Sequence, residues 1–69
     1  MIIVSQEKDH LINFDQIQYV KADRNSIWAF TTNDCVICGS YIDAQKTNQV
    51  LSELIEAIEN GLWVFNMPE

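Results

Sequence analysis

The residues able to do chemistry are few, and they do not converge. Cys35-Val36-Ile37-Cys38 has the spacing of redox and zinc motifs. A structural zinc site needs four ligands, usually two such pairs. Here the two cysteines are the full complement, and His10 is the single histidine. Positions three apart on a strand also point to opposite faces. Both cysteines are therefore expected to serve as small buried hydrophobes. His10, next to Asp9, has the type of a general base. No nucleophile, glycine-rich loop or second titratable cluster accompanies it, so a surface or strand histidine is expected. Asp9, Asp15, Asp23, Asp34 and Asp43 all fall at predicted turns or a helix start, where short acidic side chains bond nearby backbone. Turn chemistry accounts for each of them without a metal. No catalytic residue, metal ligand or cofactor site is predicted, and the chain reads as a non-enzyme.

Charge narrows the partners. The net charge is −6, and the four basic residues, Lys8, Lys21, Arg24 and Lys46, are scattered. A phosphate-neutralising surface requires clustered Lys and Arg, so direct nucleic-acid binding is excluded. Trp63, Phe65 and Met67 are expected to be core or edge packing, because a base-stacking platform also needs a basic groove. An acidic chain can still bind basic proteins, including those that normally hold nucleic acid.

The 69 residues imply one small domain, 1–69. A chain of this length buries only about 60% of its unfolded surface, and small domains often gain stability by associating. The 48% hydrophobic fraction argues against disorder. Met1-Ile2-Ile3-Val4 is too short for a signal peptide or a membrane span. A cytoplasmic protein with reduced cysteines and no membrane partner is expected.

The stretch from Asp43 to Gly61 would position whatever this chain presents. Asp43 is a favoured N-cap, and its charge suits the positive end of the helix dipole. Ala44, Thr47, Val50, Leu51, Leu54, Ile55 and Ile58 recur at spacings of three and four, making one broad apolar stripe. Asn60-Gly61 is a stop signal, because glycine readily takes the left-handed conformation a helix end needs. Glu53, Glu56 and Glu59 sit near the negative end of the dipole with no Lys or Arg after them. Each mismatch costs about 0.3–1 kcal/mol at low salt. A solvated surface face explains them; so does an acidic surface offered to a basic partner.

The rest reads as about five short strands. Ile2-Ile3-Val4 and His10 to Phe14 form an opening hairpin across a polar turn. Ile17 to Ala22 follows, then a turn at Asp23-Arg24-Asn25, then Ser26 to Thr32. Asn33-Asp34 is a plausible two-residue hairpin loop before Cys35 to Tyr41. Leu62 to Met67 is the candidate final strand, ended by Pro68. The fold class is α+β, with an antiparallel meander packed against one C-terminal amphipathic helix.

That loop places Phe30 opposite Ile37 and Trp28 opposite Gly39, where an indole can lie over bare backbone. One face carries Trp28, Phe30, Cys35 and Ile37. The other carries Ile27, Ala29, Val36 and Cys38, joined by Ile17 and Tyr19, while Val20 joins the first. Both faces are substantially apolar, yet an antiparallel sheet with one wet face alternates cleanly. The helix is expected on the Ile27 and Ala29 face, whose small members allow close approach. Trp28, Phe30 and Ile37 then need cover from Leu62-Trp63-Val64-Phe65 or from a second copy. An uncovered apolar patch marks an interface, and a homo-oligomer is expected.

Met1 to Gln6, Ile12-Asn13-Phe14-Asp15, Gly39-Ser40-Tyr41, the helix and Asn66-Met67-Pro68 carry a resemblance across nearly the whole chain. It looks like a group of small uncharacterised proteins encoded by Firmicutes phages, prophages and mobile elements. Ile42-Asp43-Ala44-Gln45-Lys46 is less charged than the matching segment typical of that group. No catalytic residues carry over. The sheet followed by one helix also resembles half of a pleckstrin-homology-like domain, which speaks to architecture only.

The resemblance and the surface together suggest a phage-derived binding protein that works by contact. Its expected contact residues are Trp28, Phe30, Ile37, Glu53, Glu56 and Glu59, and its partner a basic host protein, such as a defence component it inhibits. The alternative is an oligomeric module that sequesters a nucleotide or other small ligand, using Tyr19, Trp28 and Arg24.

Overall fold

The computed structural model describes residues 1–69. The helix α1 runs from Ala44 to Glu59. Asp43 caps it as the sequence predicts: its Oδ1 accepts from Lys46 N at 2.8 Å. Gly61 takes the left-handed conformation just past the end, at φ +66°. Thr47, Val50, Leu54 and Ala57 are the residues it buries. The predicted stripe is wider than this face, because Ile55 and Ile58 are 50% and 43% exposed.

Six strands flank the helix: β1 Ile2–Val4, β2 Leu11–Asn13, β3 Tyr19–Asp23, β4 Ser26–Phe30, β5 Cys35–Ser40 and β6 Val64–Asn66. They do not form one meander. They divide into two three-stranded sheets, ordered β2-β1-β6 and β3-β4-β5. The first is mixed: β1 pairs antiparallel with β2 and parallel with β6. This corrects the expectation that Leu62 to Phe65 lies over Trp28 and Phe30. Ile2 N donates to Trp63 O at 2.8 Å and Met67 N to Val4 O at 3.0 Å, so the C-terminal strand is tied to the N-terminal one. Gln6 stitches the two sheets together. Its N–H donates to Cys38 O at 2.7 Å, and its Oε1 accepts from Ser40 N at 2.8 Å.

Two registers differ from expectation. The β3–β4 turn is Arg24-Asn25, with Asp23 paired to Ser26 and Arg24 at φ +54°. A one-residue slip reverses every side chain of a strand. Tyr19 therefore joins the face with Phe30, and Val20 faces Ala29 on the other. The β4–β5 loop is Thr31–Asp34, closed by Thr31 N donating to Asp34 O at 2.8 Å. Phe30 then pairs with Cys35 and Trp28 with Ile37. This shift is by two residues, so the predicted face composition survives.

The ladder breaks between Ile27 and Trp28, where Ile27 pairs with Gly39 and Cys38 is left over as a bulge. A bulge re-aims side chains locally. Cys38 keeps the inner face that it shares with Val36, 1% exposed, and the bulge brings Gly39 onto that face opposite Ile27.

The core lies between the inner face of β3-β4-β5, α1 and β1. Ile3, Ile27 and Val50 are completely buried, joined by Ala29, Leu54 and Met67. The helix contacts β3 and β4, on the Ile27 and Ala29 face, as predicted.

Candidate binding surfaces

The outer face of β3-β4-β5 is covered by neither the helix nor β6. Tyr19 and Phe30 stack on it with ring centroids 4.6 Å apart and planes inclined by 12°. Trp28 stands between Lys21 and Ile37 on the neighbouring strands. Trp28 and Phe30 are half-buried, while Tyr19 and Ile37 are exposed. The other end of the face is polar. Ser26 and Ser40 hydroxyls are 3.2 Å apart, and Asp23 pairs with Ser26. A shallow depression of about 260 Å³ lies among Lys21, Asp23, Trp28, Phe30 and Cys35.

Glu53, Glu56 and Glu59 are all exposed on α1. The helix packs on the inner sheet face, so these carboxylates and the Trp28 face lie on opposite sides of the sheet. The expected contact residues therefore do not form one surface. The three carboxylates follow one another at spacings of three along α1. At about 100° per residue, they spread over about 120° of the outward side of α1, with Glu53 next to the buried stripe near Ala57 and Glu59 next to the exposed Ile55. Glu53 and Glu56 border a hollow of about 290 Å³ with Leu62 and Phe65. Neither Lys nor Arg pairs with any carboxylate; the one contact of this kind is His10 Nδ1 to Asp9 Oδ1 at 3.0 Å.

A third surface escaped the sequence altogether. A cavity of about 290 Å³ lies between α1 and β3, lined by Phe14, Ile17, Gln18, Tyr19, Val20, Leu51, Leu54, Ile55 and Ile58. A second, of about 420 Å³, is lined by Met1, Ile2, Phe14, Ile58, Gly61, Leu62 and Trp63. Phe14 and Ile58 line both, so the two hollows adjoin at these side chains and make up a two-part apolar trough beside the helix. Phe14 opens a short 3-10 turn, Phe14–Gln16, whose start is capped by Asn13 Oδ1 accepting from Asp15 N at 3.0 Å. Trp63 is 88% exposed at the trough's wide end. It is neither core nor edge packing, which corrects the expectation for that residue. The available signal was the excess width of the helical stripe: Ile55 and Ile58 were more apolar surface than one sheet face needed.

Titratable groups meet in two places, Asp9 with His10 and Cys38 with Tyr41. Ser5 Oγ donates to Asp9 Oδ1 at 2.9 Å, and His10 Nδ1 lies 3.0 Å from the same oxygen. These bonds, His10 first, hold the Asp9 carboxyl below its ordinary value. The serine proton points at a carboxylate, not at the imidazole, and Ser5 Oγ also accepts from His10 N at 3.1 Å. This is the geometry of a closed turn, and it leaves Ser5 poorly placed for attack. Cys35 is exposed, contrary to the expectation of burial; Cys38 is buried. They stand on opposite faces, so they cannot share a metal or a bridge. Burial pushes the Cys38 thiol up to about 11. It also pushes the Tyr41 phenol up to about 12, helped by Cys38 and Glu53 nearby. No helix is long and apolar enough to cross a membrane.

Comparison with family models, with curated proteins and with solved structures yields no match.

Proposed function

We propose that this chain is a non-catalytic binding protein that holds a basic protein partner by surface contact. One observation carries the reading: apolar side chains stay uncovered on both sides of the β3-β4-β5 sheet, in a chain whose carboxylates have no Lys or Arg partner. Uncovered apolar tracts of this kind mark interaction surfaces. The unneutralised acidic field favours encounter with a positively charged partner. The resemblance to small phage and prophage proteins of Firmicutes suits an inhibitor acting in the host cytoplasm, on a basic host protein such as a defence component. Self-association belongs to the same proposal: a second copy would cover the outer face around Trp28, Phe30 and Ile37, and mass in solution reads it.

The test is charge reversal. A basic host protein retained on the immobilised chain at low salt is expected to be lost from the Glu53→Lys/Glu56→Lys/Glu59→Lys variant. Retention at unchanged strength would refute the acidic-capture mechanism.

A further inference from the structure

We propose that the trough beside α1 is a docking groove for an amphipathic helix whose apolar stripe is flanked by Lys or Arg; this rests on the protein-binding reading above. Leu51, Ile55 and Ile58 floor one wall and span seven residue steps of α1, about 10 Å at 1.5 Å per residue. A guest helix presenting anchors at i, i+3 or i+4, and i+7 covers the same length, the usual form of helix-in-groove recognition. The opposite wall begins at Phe14, and Trp63 stands at the wide end as a large exposed anchor.

Charge selects the occupant. No Lys or Arg lines either half of the trough. The acidic residues next in sequence to its lining are Asp15, after Phe14, and Glu59, after Ile58, both exposed and without a Lys or Arg partner. A helix with basic flanks finds complementary charge in these neighbouring carboxylates and in the chain's net charge of −6. A second copy of this chain meets like charge and carries −6 of its own, which opposes self-docking here.

The probe is a synthetic amphipathic helix with Leu anchors and Lys flanks, titrated into isotope-labelled protein and followed by amide chemical shifts. The expected perturbations cluster at Leu51, Ile55, Ile58, Leu62 and Trp63. Ile55→Glu and Ile58→Glu, at exposed positions, weaken binding about tenfold or more, while Ile37→Glu on the outer sheet face leaves it unchanged. A Glu-flanked peptide with the same anchors binds at least about tenfold more weakly. Absence of binding, perturbations confined to the outer face, or equal binding of the Glu-flanked peptide overturns the proposal. If the peptide fails while host-protein capture persists, this inference falls alone; if capture fails as well, the binding reading falls with it.

Discussion

Tyr41 lies across Gly39 with no room to spare. A Cβ built on Gly39 would stand 2.7 Å from the Tyr41 hydroxyl oxygen and 3.1 Å from Cζ. That hydroxyl donates to Pro68 O at 2.9 Å, so the ring ties the end of the chain to the β5 bulge. The sequence expected an indole over this glycine; the bulge at Cys38 delivers the tyrosine instead.

Gly39→Ala should therefore cost about 1–3 kcal/mol, the usual price of overpacking a filled site. Tyr41→Phe keeps the ring and loses the bond to Pro68, for about 0.5–1.5 kcal/mol. Urea midpoints check both, and in Tyr41→Phe, amide exchange near Met67 should quicken. A Gly39→Ala protein as stable as the parent would contradict this packing.

Alkali should weaken the fold from about pH 9 upward. Burial raises the Cys38 thiol from 9.0 to about 11 and the Tyr41 phenol from 10.0 to about 12. Below those ordinary values both groups are protonated in either state, and the stabilisation is fully present. As pH rises past them, the unfolded chain ionises first, and stability falls until the folded groups ionise too. Denaturant midpoints between pH 8 and pH 12 (a range set by those two shifts) should decline. The decline should be shallower in Tyr41→Phe.

Asp43→Ala removes the cap on Lys46 N and should cost about 0.5–2 kcal/mol. Thermal unfolding would show this as a drop of several degrees, at about 4–8 °C per kcal/mol for a domain this small. A Ser at the same position should restore most of the loss, which a role of Asp43 outside capping would not allow.

Nucleotides should leave the melting temperature unchanged. Tyr19 is already stacked on Phe30, and Arg24 lies at the β3–β4 turn, at the end away from that stack. A ligand present at a hundred times its dissociation constant would add about 2.7 kcal/mol. A clear upward shift with any nucleotide would revive the small-ligand alternative.

Local signals in the sequence were legible, and distant ones were not. Asp43 and Gly61 mark the helix because capping acts within one turn. The inner-face assignment of Ile27 and Ala29 holds because alternation survives an even register shift. Tyr19 was misplaced because a left-handed Arg24 gives no such signal as Asn-Gly would. The parallel pairing of β6 with β1 joins residues some sixty positions apart, Ile2 with Val64, and no neighbouring residue announces it. The trough depends on that pairing, on the Phe14 turn and on the surplus of the helical stripe, so it emerged only in three dimensions.

The central claim is that the apolar surface beside α1 is where a protein partner sits. Site-specific photo-crosslinking from position 55, in cells that contain the partner, reads this most directly. The reference is position 42, an isolated isoleucine 87% exposed just ahead of the helix cap. One defined adduct with a basic protein from position 55, and none from position 42, is the result predicted. No adduct from position 55, or the same adducts from both positions, would contradict it.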